Sequence, residues 1–488
     1  MLLSSFERFG DRTAIVWRDR RWTYSELHDR VRRAEGLLSG LLVDDRSRLM
    51  IAADNHPSYV VAYSAAQAIG RCTVEIGRHE SLETLRKIVG TTRPGYVLTD
   101  REDFLDSLAG EVPAGGVESF LERLDSEARP GSPAAGPADE DRESRTASII
   151  YTSGTTGLPK GVVLSQGNFC FVVAAIVDYL GLDPNDRYGL MLPLSHSYGK
   201  SNLLTTFAAG ASLVFLDEFQ NLPAFVERTA SERVTILSAV PYHAHILLKR
   251  ASLSGRDLSN LRAITFSGNK LPPATIDGLS EALPRARIFS MYGLTESCTR
   301  ACYVPPDLLS RKKESCGRPL PGVEIRIRDD SGRDLGPGEV GHILLRGPNV
   351  MTGYFQDPEL TGRTLEDGWL RTGDLGKLDA EGFLFLEGRE KDIIKCAGER
   401  ISPAEIEDVL GSHPRVADVA VVGSPDPVLG EVIHAFVVPR DRDLDPGELR
   451  TYSASRLSHH KLPRRFTMTD QLPRTATGKI RKHLLTES

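Results

Sequence analysis

Between residues 161 and 300 the apolar positions switch repeatedly between two spacings. Short runs rich in β-branched and aromatic residues at 188–192, 212–215, 235–239, 263–267 and 287–291 predict strands. The segments between them carry apolar residues at helical spacing, and this alternation predicts a mostly parallel sheet with helices on both faces. Upstream, Thr23 and Glu26 form a capping box, and Leu27, Val31, Ala34 and Leu38 then make one apolar helix face. Residues 50–53 read as a buried strand followed by a helix through 59–69. The run 111–145 is rich in Pro, Gly, Ala and acidic residues and predicts loop and connector.

Downstream the pattern changes. Short β segments at 323–328, 341–346 and 383–387, separated by Gly and Pro, predict a small antiparallel sheet or barrel. Near 388–392 it changes again. Ser402 and Glu405, with Pro403 between them, predict a capped helix start; Ile406, Val409 and Leu410 form its apolar face and Gly411 its end. With strands predicted at 419–422 and 434–438, the residues after 390 read as a small α+β domain. A chain of 488 residues is too long for one core, so two or three domains are expected.

Charge and cysteine content exclude several classes. The net charge of −6 comes from interspersed residues of both signs, which predicts no nucleic-acid or anionic-membrane surface. The apolar run after Met1 is too short for a signal peptide, and the longest one, 169–177, is too short for a membrane span. Six cysteines include no C-x-x-C pair, which fits reduced thiols in a cytoplasmic protein.

The candidate chemistry centres on YTSGTTGLPKG at 151–161. Ile149, Ile150 and Tyr151 before the loop and Val162 after it read as strand. Glycines let the backbone turn several N–H groups toward one anion, and the hydroxyls of Ser153, Thr155 and Thr156 add donors. Lys160 adds a point charge, so the loop has the composition of a phosphate cradle. Gly154, Gly157 and Lys160 do not have the Walker A spacing, which argues against a P-loop kinase or ATPase. Gly199-Lys200-Ser201 also fails that spacing. Three further segments follow predicted strands directly, where such sheets bind ligands: PLSHSYG at 193–199, SGNK at 267–270 and YGLTE at 292–296. A lone histidine such as His196 is more often packing than catalytic. Asp374, in RTGD at 371–374, reads either as a turn residue or as an acceptor for a sugar diol. Asp106-Ser107-Leu108 matches a phosphopantetheine-carrying tripeptide, but no glycine precedes it and it reads as an ordinary short helix.

Taken in order, these segments resemble the adenylate-forming superfamily of acyl- and aryl-CoA synthetases, nonribosomal peptide synthetase adenylation domains and luciferases. The resemblance spans the whole chain and includes MYGLTE at 291–296, GREKDIIKCAGERISPAEIE at 388–407 and PRTATGKI at 473–480. It implies an α/β fold: a large N-terminal domain (1–390) of two α/β subdomains plus a distorted β-barrel, hinged to a small α+β C-terminal domain (391–488). It implies that a carboxylic acid attacks ATP to give an acyl-adenylate, and that the acyl group then passes to the thiol of coenzyme A or of a carrier protein's phosphopantetheine. By the same resemblance, Ser153, Gly154, Thr155, Thr156, Gly157 and Lys160 would hold the β- and γ-phosphates. Glu296, with Thr156, would bind Mg²⁺, and Thr295 would contact the α-phosphate. Met291, Tyr292 and Gly293, with Gly268, Asn269 and Lys270, would line the adenine slot. Asp374 would accept the ribose hydroxyls, with Arg389 beside it. Lys479 would bridge the two reacting anions, Lys391 would be the hinge, and Gly398 would let the pantetheine arm pass.

Two departures shape the expected substrate. Asn269-Lys270 stands where many relatives have Gly followed by a variable residue. Amino-acid-activating relatives place Phe-Asp where this chain has His196-Ser197, and Ser197 offers no charge for a substrate ammonium. An acyl or aryl acid is therefore expected, with His196 resembling the gate of acid ligases. The rivals are a freestanding adenylation enzyme that loads an unusual acid onto a carrier, and a non-catalytic nucleotide- or acyl-binding module.

Overall fold

The computed structural model describes the chain except residues 1, 45–46, 127–142, 153–158, 217–218, 251–256, 269, 397–398, 427–428, 442, 475–479 and 486–488. It divides into two compact units. The first comprises Met1–Lys313, Pro319–Glu324 and Arg346–Leu370, and the second Glu314–Arg318, Ile325–Leu345 and Arg371–Ser488.

Two sheets organise the first unit. In one, the strands Gly353–Tyr354, Lys160–Ser165, Thr146–Thr152, Thr73–Glu75, Leu49–Ala52, Tyr96–Thr99 and Ala114–Gly116 lie side by side in that order. All neighbours from Thr146–Thr152 onward pair in parallel. Lys160–Ser165 returns antiparallel to Thr146–Thr152, with Thr152 opposite Lys160, so the two strands pair as a hairpin. The other sheet sets Arg287–Tyr292, Ala263–Phe266, Ile236–Ala239, Arg187–Leu190, Ser212–Phe215 and Thr13–Trp17 side by side, all parallel. The four residues of each of the strands from Ser212, Ile236 and Ala263 are buried, as expected where helices cover both faces.

Local signals fare unevenly. Glu26 N–H donates to Thr23 Oγ1 (3.1 Å) and Thr23 N–H to Glu26 Oε2 (2.7 Å), so the predicted capping box starts the helix Tyr24–Leu41. Asp106 and Ser107 close the short helix Glu102–Ser107. The expectation of connector at 111–145 is corrected: Ala114–Gly116 is a strand and Val117–Ser126 a helix, because Val117, Phe120, Leu121 and Leu124 bury one face. At Ser402 the capping box is absent. Its hydroxyl donates instead to the carbonyl of Glu387, although the helix Pro403–Gly411 begins where Pro403 predicts.

In the second unit the strands Trp369–Leu378 and Leu384–Arg389 form an antiparallel hairpin beside Gly341–Arg346 and Glu324–Arg328. Toward the C-terminus, Val416–Asp426 and Gly430–Pro439 make a long antiparallel hairpin joined by Arg465–Met468. Ile406, Leu410, Val421, Ile433 and Leu449 fill the core between this sheet and its helices. No helix among the described residues is long and apolar enough to cross a membrane. None of the six cysteines is in a disulfide.

Candidate functional site

Of the predicted phosphate cradle, Lys160 lies within the described residues, whereas Ser153, Gly154, Thr155, Thr156 and Gly157 lie outside them. Lys160 opens the return strand of the hairpin, and its ammonium lies 5.7 Å from the centroid of the Tyr354 ring. Tyr354 sits on the two-residue strand paired antiparallel to Val162 and Val163, and its hydroxyl donates to Glu296 Oε1 at 2.9 Å. One tyrosine, absent from the sequence expectations, thus touches both the loop lysine and the predicted metal carboxylate. Replacing Tyr354 with Phe removes that hydrogen bond and leaves the ring in place. A stability loss of about 1 kcal/mol and a roughly tenfold rise in the Mg²⁺ needed for half-maximal activity are expected, from steady-state titration of the purified variant.

Glu296 belongs to a tightly wound turn after the strand Arg287–Tyr292. Leu294 N–H donates to Ser297 Oγ (3.0 Å), Thr299 N–H to the Leu294 carbonyl (2.7 Å), and Met351 N–H to the Glu296 carbonyl (2.8 Å). Cys298 and Thr299 both adopt positive φ, at 47° and 73°, and this is costly for a β-branched residue. A Cβ on Gly293 would fall 2.1 Å from the Thr299 carbonyl oxygen, so no side chain fits there. Met291 and Tyr292 are buried at the carboxyl end of the strand, where ligands of parallel sheets bind. Gly268, after the strand Ala263–Phe266, has φ of 98°. Lys270 is half-buried, and Asn269 lies outside the described residues.

The 193–199 segment meets this turn. Ser197 opens the helix Ser197–Ala209, and its hydroxyl lies 3.3 Å from that of Thr295. The 193–199 segment and the turn after Tyr292 thus meet at hydrogen-bonding distance. Gly199 packs so tightly that a Cβ would fall 2.1 Å from the Pro193 carbonyl oxygen. His196 precedes the helix without capping it through its side chain. Tyr198 donates from its hydroxyl to the Thr265 carbonyl (3.0 Å), and its ring is faced by the Arg300 guanidinium at 4.4 Å. Arg300 is fully buried. Its Nε donates to Tyr179 Oη (3.1 Å) and its Nη1 to the Thr299 carbonyl (3.2 Å), while Nη2 has no hydrogen-bond partner among the described residues. Sequence reasoning missed it; the only signal was a lone cation in the run Ser297–Tyr303, between otherwise uncharged residues.

Desolvation pushes the imidazoles of His196 and His243 both down to about 4, so both are neutral at pH 7. Val240 N–H donates to His243 Nδ1 at 3.3 Å, which makes that ring a packing element of the helix Pro241–Arg250. In the unfolded chain both rings titrate near the ordinary imidazole value of about 6.5. Between those values the unfolded state binds more protons, so folding stability falls as pH is lowered through that window. Calorimetric melting at a series of pH values is expected to show a falling midpoint, with a shallower fall in His243→Gln.

In the second unit, Asp374 lies opposite Arg389 in the hairpin, with Arg389 Nε 2.9 Å from Asp374 Oδ1. Gly373, with φ of 72°, and a bond from Asp374 N–H to Thr372 Oγ1 (3.1 Å) fix the carboxylate, which is only 5% exposed. Lys391 is exposed in a single 3-10 turn, Glu390–Asp392. Gly398 and Lys479 lie outside the described residues. Among the described residues no three His, Cys, Asp or Glu side chains cluster as a metal cage. A single oxygen donor such as the Glu296 carboxylate suits Mg²⁺, which at phosphate sites takes one or two carboxylates together with substrate phosphates.

Comparison with known proteins gives this geometry a family. The AMP-binding enzyme profile matches residues 3–355, and the AMP-binding enzyme C-terminal domain profile matches residues 405–479. The chain belongs to the AMP-binding enzyme family. Among its relatives, the indoleacetate–CoA ligase of Aromatoleum aromaticum is 36% identical over 96% of this chain and 94% of the relative. The 2-succinylbenzoate–CoA ligase of Bacillus subtilis is 32% identical over 98% and 95%. The structure of o-succinylbenzoate CoA synthetase from Bacillus subtilis with its acyl-adenylate intermediate superposes with a TM-score of 0.90 at 31% identity, covering 100% of this chain and 98% of that one. The same Bacillus enzyme is known with ATP and magnesium ion. The expected architecture, a large N-terminal α/β region with a smaller C-terminal domain, is that of this family.

Proposed function

We propose that this enzyme activates an aryl or arylalkanoic acid with ATP and passes the acyl group to coenzyme A. The observation that carries the choice of acid is Ser197. It is buried beside Thr295 and presents a hydroxyl where an α-amino acid would need a carboxylate to meet its ammonium. The full-length similarity to two CoA ligases of aromatic acids favours coenzyme A over a carrier protein as the acceptor. A cytoplasmic location belongs to the same reading, since six cysteines without a disulfide fit a reducing compartment.

In this reading the chain supplies positioning and charge. The loop 153–160 and Lys160 hold the β- and γ-phosphates of ATP, and Glu296, steadied by Tyr354, holds Mg²⁺ with Thr156. Magnesium ion neutralises phosphate charge when bound. Thr295 contacts the α-phosphate, and Met291, Tyr292 and Gly293 with residues 268–270 line the base. Asp374, fixed by Arg389, accepts the ribose hydroxyls. Neutral His196 gates the acyl pocket. Lys479 draws the carboxylate and α-phosphate together, and rotation at Lys391 then exchanges it for the segment around Gly398 so that the thiol can enter. Residues 391–488 would move as the C-terminal domain.

The test is acid-dependent pyrophosphate release with ATP and Mg²⁺ across aryl, arylacetic, straight-chain and α-amino acids, each without acceptor, with coenzyme A and with a phosphopantetheinylated carrier. Stimulation by aromatic acids with steady turnover on coenzyme A is expected. Turnover on the carrier alone would make this a freestanding loading enzyme. Silence with ATP binding intact would leave a non-catalytic module.

A further inference from the structure

The helix Ser197–Ala209 carries in its first turn a lysine that no part of the chemistry above uses. Lys200 is fully buried, and its ammonium lies 3.1 Å from Glu75 Oε1, which is also fully buried. Two tyrosines complete its surroundings. Lys200 Nζ donates to Tyr59 Oη at 3.3 Å and sits 3.4 Å from the centroid of the Tyr63 ring. Glu75 Oε1 in turn accepts from Thr73 Oγ1 (2.6 Å) and Ser148 Oγ (3.1 Å). Ser148 is on the strand Thr146–Thr152 that runs directly into the 153–159 loop.

The other end of this network reaches the 193–197 segment. Tyr59 Oη donates to the Leu194 carbonyl at 3.1 Å. Asn55, just ahead of the helix Pro57–Ala68 that carries Tyr59, brackets the same stretch: its Nδ2 donates to the Leu192 carbonyl (3.0 Å) and its Oδ1 accepts from Leu194 N–H (2.8 Å). Ser148, Glu75, Lys200, Tyr59 and Leu194 therefore form one continuous polar chain. It runs from the strand behind the phosphate loop to the loop that precedes His196 and Ser197.

Stability does not account for this arrangement. A buried ion pair is generally no better than a well-packed apolar pair of the same volume, because desolvation offsets the attraction. Here Glu75 Oε2 also has no hydrogen-bond partner among the described residues. What a charged, hydrogen-bonded pair provides that an apolar contact does not is a single fixed geometry. We propose that the Lys200–Glu75 pair is a positioning strut that sets His196 and Ser197 in register with Thr295 and the phosphate-loop strand. This rests on the function proposed above for its kinetic consequence, but not for its structural one.

Burial also makes the strut sensitive to alkali. Desolvation pushes Lys200 down to about 8, whereas it pushes up the other groups there: Tyr59 and Tyr63, together with the Cys72 and Cys298 thiols close to them. As pH rises through about 8 the folded protein loses the ammonium, and with it the charged donor to Glu75.

The test is the double variant Lys200→Met/Glu75→Gln, which keeps volume and a hydrogen-bonding oxygen while removing both charges. Calorimetric ATP binding and the thermal midpoint serve as controls for folding. Amide exchange of residues 192–199 is expected to quicken about tenfold or more at unchanged global stability. Acid-dependent pyrophosphate release is expected to drop about tenfold to a hundredfold, with ATP affinity unchanged and the fall above pH 8 gone. Exchange at 192–199 equal to the wild type would overturn the strut even if the wild type activates no acid. A wild type without pyrophosphate release but with quickened exchange in the variant would count against the proposed function alone.

Discussion

Lys479→Ala is expected to lower acid-dependent pyrophosphate release by roughly 10²–10³-fold or more while ATP binds almost as before. The step brings a carboxylate against a phosphate, so the barrier is dominated by repulsion between two anions and by the charge that develops at the α-phosphorus. A lysine between them is used mostly in the transition state, and its removal should depress kcat far more than it raises the Kd for ATP. Residues 475–479 lie outside the described residues, and the contacts on either side of them are described. Arg474 and Ile480 form an antiparallel bridge across residues 475–479, Arg474 pairs with Asp418, and Ile480 packs on the cluster of Ala420, Val422 and Phe436. Isotope exchange between pyrophosphate and ATP, beside calorimetric ATP binding, reads both quantities; near-wild-type exchange in the variant would remove Lys479 from the chemistry.

Gly293→Ala should be nearly as severe, for a steric reason. The added methyl would meet the Thr299 carbonyl oxygen at 2.1 Å and the Arg300 nitrogen at 2.8 Å, both backbone atoms that cannot rotate away. The turn must therefore open, and it is the turn that holds Thr295 against Ser197 and Glu296 against Tyr354. Overpacking of this kind costs about 1–3 kcal/mol of stability. A displacement of about 1 Å at reacting groups costs on the order of a hundredfold in rate. Gly362→Ala provides the contrast, since nothing lies within 4 Å of a Cβ there and the residue is in the helix Pro358–Thr364. Urea unfolding and pyrophosphate release on both variants separate the two cases: loss of stability and rate at 293, neither at 362. Equal behaviour would mean that the turn after Tyr292 tolerates movement.

Local signals were the most legible part of the chain. The strand runs at 212–215 and 341–346 coincide with Ser212–Phe215 and Gly341–Arg346, and the Thr23–Glu26 capping box is made in full. Each of these depends on neighbours within a few residues. The helix Val117–Ser126 escaped notice because its four apolar residues are embedded in a stretch dominated by Gly, Pro and acid. The Ser402 cap failed because a carbonyl distant in sequence, that of Glu387, competes for the hydroxyl.

The sequence by itself determined the family, the order of its motifs, the α/β class and the preference against an α-amino acid, because motif spacing, hydrophobic period and missing charges are properties of short stretches. Only the tertiary structure decided what supports those motifs. Tyr354 and Glu296 are 58 residues apart and meet because the Gly353–Tyr354 strand pairs beside the loop hairpin. Arg300 stacks on Tyr198, and Lys200 meets Glu75, through helix and strand placements that no local pattern encodes. A buried charge reads in sequence like any surface lysine or arginine, and its partner is chosen by the packing of elements far apart along the chain.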